Sequence, residues 1–157
     1  LPDGYLGSDP NHFNSIRNII NKIKPDLIIT HSNIDYHSDH RVLSNYISDA
    51  SGHYFPIIYC DTLMGINFNP NYYIDVTDVF NEKIRAILKH KTQKPQRFVE
   101  TVKLMNSYRS AQCNSPLGTY AEAYSFERSF PFADLKDLLP PSPPLIPFNI
   151  NNKNGFL

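Results

Sequence analysis

The residues richest in chemistry sit in one stretch, Thr30-His31-Ser32-Asn33-Ile34-Asp35-Tyr36-His37-Ser38-Asp39-His40-Arg41. Three of the chain's six histidines fall within ten residues there, interleaved with two aspartates. Imidazole is a good zinc ligand, and it is also the side chain that titrates near neutral pH without help. A His-x-x-His pair at a helix start puts two rings on one side of the backbone. One can then ligate a metal ion while the other acts on substrate. Asp39, between them, could hold a ring nitrogen and select its tautomer. The plain alternative is a set of solvated loop histidines, with Ser38 or Asp39 capping the helix that follows.

The flanking sequence says where this stretch must sit. Asp9 and Pro10 open a helix as N-cap and first helical residue, and Phe13, Ile16, Ile19, Ile20 and Ile23 recur at helical spacing until Pro25 stops it. Leu27 to Thr30 is a short β-branched run without polar alternation, which predicts a parallel strand buried on both faces. Val42, Leu43, Tyr46, Ile47 and Ala50 describe a second helix closed near Gly52. The histidine stretch thus joins a strand end to a helix start, the place where open α/β sheets bind ligands.

Further strands are expected at residues 55–59, with Pro56 marking an edge or an early bend, and at 64–68, 72–76 and 121–126. A third helix is expected with Val79, Phe80, Ile84, Ile87 and Leu88 inward, capped by Thr77 or Asp78. A fourth is expected over 97–109, packed through Phe98, Val102 and Met105. Helix and strand in alternation with short loops predict an α/β fold. Residues 131–157 are dense in proline and end rich in asparagine, so an extended tail is expected there.

Composition excludes some classes. Fifteen basic and fifteen acidic residues in 157 leave no net charge, so a polybasic surface for nucleic acid is excluded. The apolar runs are far shorter than the roughly 20 residues a membrane span requires. Cys60 and Cys113 form no CxxC pair and suit a reducing compartment. No signal peptide is visible after Leu1. A cytoplasmic protein is therefore expected, and a chain opening on Leu1-Pro2-Asp3-Gly4 reads as an interior piece of a longer one.

The residues also carry a resemblance. Pro25-Asp26 running into Thr30-His31-Ser32, then Asp35-Tyr36-His37-Ser38-Asp39-His40-Arg41, resembles the second signature of the PIG-L/LmbE-like zinc deacetylases, "PD-apolar-THS…DYHPDHR". Leu1 to Gly4 resembles that family's "DG" loop. Asn69 to Val76, Lys83, and His90 to Gln93 resemble its "P-x-x-yvDis…K…H-x-SQ" run, and Tyr120 to Tyr124 its "yAEaF" strand. The pieces occur in the family's order over residues 1–127.

The resemblance implies a Rossmann-like, mostly parallel sheet with helices on both faces, over residues 1–130. It implies hydrolysis of an N-acetyl group on an N-acetylglucosamine-type sugar or sugar conjugate. Zn2+ is the implied cofactor, and Fe2+ suits such donors too. His40 would ligate the metal. His37 would steady the oxyanion and protonate the leaving amine, and Asp39 would orient its neighbours. Asp3, Asp35 and Tyr36 would contact substrate, and a homo-oligomer is compatible with all of this.

Two departures stand out. Ser38 replaces the family's proline, and no "HPDDE" signature, which supplies the remaining ligands and the general base, occurs in the chain. The expectation is a C-terminal portion whose first βα units are missing and which is inactive alone. The rival reading is a non-catalytic α/β binding module that has lost its metal site. A nucleotide-binding Rossmann domain ranks last, for want of any G-x-G-x-x-G or Walker pattern.

Among other residues, His12 is expected to face solvent and His53 to be a turn residue. His31 is either a group supporting the site or a buried, hydrogen-bonded core histidine. Arg41 is expected to pair with a carboxylate or to cap locally.

Overall fold

Asp9 accepts a hydrogen bond from the Asn11 N–H at 2.9 Å, which starts the first helix, α1 (Asn11–Ile23). Left-handed Lys24 ends it just before Pro25. The structure, a computed structural model, describes residues 3–127. The expected tail therefore lies outside the described residues. After α1 come β1 (Ile28–His31), α2 (Ser38–Ser51), β2 (Ile57–Cys60), β3 (Tyr72–Asp75), α3 (Phe80–Leu88), α4 (Pro95–Gln112) and β4 (Ala121–Phe126).

The described chain forms two units, residues 3–72 with 123–127 and residues 73–122. In the first, β1 pairs in parallel with β2, Ile28 opposite Ile57 and His31 opposite Cys60. β2 then pairs antiparallel with β4, Cys60 opposite Tyr124. The strand order is β1-β2-β4-β3. The fold is α/β, but the sheet is mixed where a mostly parallel one was expected. A strand's own side chains report how deeply it is buried. Its direction depends on the path of the chain, which local pattern does not record.

The burial of β1 also differs from expectation. Thr30 is buried but Ile29 is 60% exposed; the two point to opposite faces of the sheet, and the face carrying Ile29 is open among the described residues. Similarly, only Ile20 of α1 is buried, while Ile19 and Ile23 stand exposed. Packing in this unit centres on Ile20, Ala50, Ile57, Tyr59 and Ala123. Phe13 meets Tyr46 edge-on at 5.7 Å, joining α1 to α2.

No strand forms over residues 64–68; Leu63–Gly65 is a 3-10 turn instead. Gly65 and Asn67 both take left-handed φ, +57° and +59°, which an extended strand does not allow. In the second unit, Phe80 lies flat on Tyr120 at 3.7 Å. The 3-10 turn Thr77–Val79 precedes α3, and Val79, expected inward, is exposed. α4 begins earlier than expected, with Pro95 suited to its first turn.

The buried face of α4 is polar as well as apolar. Val99 and Val102 are joined by Asn106, Arg109 and Ser110, while Phe98 and Met105 are only half-buried. Asn106 has no exposed surface. It donates to the Ala121 carbonyl at 2.5 Å and accepts from Lys83 at 3.0 Å, so its burial carries no unpaired amide. Lys83 also donates to Glu122 at 2.5 Å.

Gly52 closes α2 at φ +55°, where a Cβ would sit 3.4 Å from the Tyr54 ring. Gly52→Ala is expected to lower stability by about 1 kcal/mol, as a left-handed alanine does. Urea denaturation checks this, with the midpoint shifting and the slope unchanged.

Candidate functional site

The histidine stretch spans the gap from the end of β1 to the first turn of α2, all within the first unit. Its shape is set by one buried carboxylate. Asp35 is 3% exposed as a residue, and its side chain has no exposed surface. Oδ1 accepts from the His37 N–H at 2.8 Å and lies 3.1 Å from His40 Nδ1. Oδ2 accepts a short hydrogen bond from the Thr62 hydroxyl. Arg41 closes the loop from the helix side, donating to the Asp35 and Tyr36 carbonyls at 2.6 and 2.7 Å. It caps locally, one of its two expected roles.

Burial alone would push the Asp35 carboxyl up. The His37 N–H, the Thr62 hydroxyl and the His40 ring outweigh burial and hold it below the usual aspartate range. Asp35, expected to contact substrate, is therefore placed beneath the histidines, where it holds the loop.

The two histidines of the His-x-x-His pair meet different partners. His37 is the N-cap of α2, and its Nδ1 accepts the Asp39 N–H at 3.2 Å. The expected caps, Ser38 and Asp39, lie inside the helix. With a lone pair committed at Nδ1, neutral His37 carries its proton on Nε2, which lies 3.4 Å from Oδ1 of exposed Asp3. His40 has the reverse arrangement. Its Nδ1 is buried 3.1 Å from Asp35 Oδ1 without the alignment of a hydrogen bond, and the carboxylate's charge favours the proton there, leaving the lone pair on Nε2. Both tautomers are assigned from these contacts.

The Asp39 carboxylate is held by backbone. It accepts the N–H groups of Gly4 at 2.6 Å and Leu6 at 3.2 Å, and these bonds, Gly4's foremost, lower its pKa. It thereby fastens the loop carrying Asp3 onto the start of α2. His12, expected in solvent, supports the same loop by donating from Nδ1 to the Leu6 carbonyl at 2.7 Å. Tyr36 is half exposed and stands edge-on to His37 and His40, 6.2 and 6.3 Å between ring centres.

Metal-ligating atoms of Asp3, His37 and Asp39 lie within 4.8 Å of one another. Each Asp39 oxygen accepts one backbone N–H and keeps a further lone pair, so the grouping is consistent with a metal ion. His40 lies outside this grouping, with a carboxylate 3.1 Å from Nδ1, a contact of the kind that makes the opposite ring nitrogen a better ligand.

The sequence reading missed Thr62, which comes 27 residues after Asp35 with nothing around it to mark a role. Of the two expectations for His31, the hydrogen-bonded core histidine does not hold, and the residue lies against the site. Its ring stacks on His40 at 3.8 Å and 8°, and its Nδ1 is buried with no hydrogen-bond partner among the described residues. Burial, then neighbouring His40, lowers its pKa.

No protein-family model and no curated protein matches the sequence. Solved structures do. The conserved protein TT1542 of Thermus thermophilus matches with a TM-score of 0.67 at 18% identity, over 85% of this chain and 67% of that one. GalB, the 4-carboxy-2-hydroxymuconate hydratase of Pseudomonas putida, matches at 0.62 and 16%, over 81% of this chain and 62% of its own. A deacetylase of the teicoplanin biosynthesis pathway, solved with teicoplanin, matches at 0.54 and 18%, over 79% and 52%. The likeness is one of fold. This chain spans about three fifths of the hydratase and half of the deacetylase. Among the described residues, no helix is long and apolar enough to cross a membrane.

Two measurements check the site. Nitrogen-15 spectra of the metal-free protein at neutral pH should show His37 protonated on Nε2 and His40 on Nδ1; like tautomers would refute the assignment. The lowered pKa of Asp35 means that it stabilises the fold above its unfolded value, near 3.9, and that this is lost as pH falls through the folded value. Asp35→Asn should thus cost about 2 kcal/mol near neutrality, with the gap to wild type closing below about pH 4. A gap independent of pH in urea titrations would contradict this.

Proposed function

We propose that this chain contributes part of the active site of a metal-dependent deacetylase, one that hydrolyses the N-acetyl group of an N-acetylglucosamine-type sugar or sugar conjugate. The observation that carries the reading is the opposite commitment of two histidines three residues apart. His40 has a carboxylate 3.1 Å from Nδ1, which would leave its lone pair at Nε2. His37 has an acceptor at Nδ1 and a proton at Nε2. Amide hydrolysis beside a metal ion uses one of each, a ligand and a proton donor.

His40 would hold the ion, zinc or Fe(II). When bound, the metal polarises the acetyl carbonyl and makes water acidic enough to attack near neutral pH. His37 would donate a hydrogen bond from Nε2 to the carbonyl oxygen as negative charge develops there. The proton that the departing amine takes up would be the one released by the attacking water to a general base these residues do not supply. Asp35 and Arg41 keep the two rings apart and oriented. Asp39 holds the Asp3 loop beside His37, where Asp3 and half-exposed Tyr36 can meet substrate hydroxyls. No HPDDE-type motif, the family's source of the remaining ligands and the general base, occurs in these 157 residues.

The fold is compatible with the reading and does not select it, since a hydratase and a deacetylase both share it. The test is metal content and acetate release from a panel of N-acetyl sugars, measured on the complete polypeptide. His37→Gln should slow turnover by about 100- to 1000-fold with metal retained, whereas His40→Gln should lose the metal. The reverse pattern of metal loss overturns the two roles, and failure of the wild type to release acetate from any sugar overturns the activity.

A further inference from the structure

We infer that His31 is a positioning residue whose ring is the flat platform that sets the plane of the His40 imidazole, and with it the direction of the Nε2 lone pair. The inference rests on the reading of His40 as a metal ligand. Asp35 pins His40 at one atom, Nδ1. That contact leaves the ring free to swing, because rotation about the second side-chain torsion of histidine is broad and roughly two-fold. A surface against the ring face is needed to stop the swing, and His31 supplies it, parallel to within 8° at 3.8 Å between ring centres. His37, on the same ring, is tilted by 31° at 4.7 Å and gives no such flat face.

The same geometry excludes His31 as a fellow ligand of the same ion. An imidazole lone pair lies in the plane of its ring, and a metal sits about 2 Å out along it. Two nearly parallel rings 3.8 Å apart direct their lone pairs along separate planes, which do not converge on one ion. The buried Nδ1 of His31 has no partner among the described residues, so the ring face, not that nitrogen, makes the contact that matters here. The platform is itself held rigidly. His31 ends β1 and stands in ladder register with Cys60 of β2, so its backbone is fixed by the sheet, not by the loop.

The test compares His31→Phe, which keeps a flat face, with His31→Leu, which fills the space without one. Co2+ affinity is measured on the complete polypeptide by chelator competition, and in metal-free protein the His40 Nδ1–H resonance is followed by NMR. Phe should bind Co2+ as wild type does and keep the resonance. Leu should bind about 10- to 100-fold more weakly, the usual effect of losing a group that orients a ligand, and should lose the resonance to exchange. Leu matching wild type, or Phe falling as far as Leu, overturns the platform. If the wild type takes up no Co2+, the functional proposal fails on its own, and the resonance decides the platform: kept in Phe and lost in Leu supports it, kept in both or lost in both overturns it.

Discussion

The site depends on a carboxylate held entirely out of water. An ionised group in that position is costly unless its oxygens are hydrogen-bonded, and Asp35 accepts from a backbone N–H and a threonine hydroxyl, with an imidazole nitrogen 3.1 Å away. Each of these partners is fixed in turn. The His37 N–H can reach Oδ1 only if the chain turns sharply into α2. Thr62 must come from the loop after β2, and the His40 ring must point inward from the first turn of the helix. One buried charge thus links a strand end, a helix start and a second loop.

From that constraint follows the division between two chemically identical side chains. His37 caps α2, so its Nδ1 belongs to the helix backbone; His40 lies one turn further on and its Nδ1 belongs to Asp35. The spacing of three residues places both rings on one side of the helix start, and the different depths of their inner nitrogens do the rest. Asp39, lying between them in sequence, ties down the loop that carries Asp3. A carboxylate binding two backbone N–H groups two residues apart is a strong, directional clamp, and it gives an otherwise exposed loop a defined position beside His37.

The same scaffold supports a hydratase in one similar structure and a deacetylase in another. Strand order and helix placement therefore bring a set of loop residues to the tips of the strands without selecting a reaction. In the second unit, the buried network of Lys83, Asn106 and Glu122 shows a different use of polar groups, joining α3, α4 and the start of β4 through satisfied hydrogen bonds.

Much of this was legible from residue order. Helical spacing placed α1, α2 and α3, and Pro25 and Gly52 marked two of their ends, because those signals act within a few residues. The concentration of histidine and aspartate between β1 and α2 likewise marked the site. What only the tertiary structure decided were relations across distance: that β4 runs antiparallel to β2, that β1 lies at an edge with Ile29 exposed, that Thr62 holds Asp35 and that His31 lies flat on His40. Residue types and local periodicity record what a segment can do by itself. Which atoms it meets depends on how the whole chain returns upon itself, and a proton's place on an imidazole ring follows from that meeting.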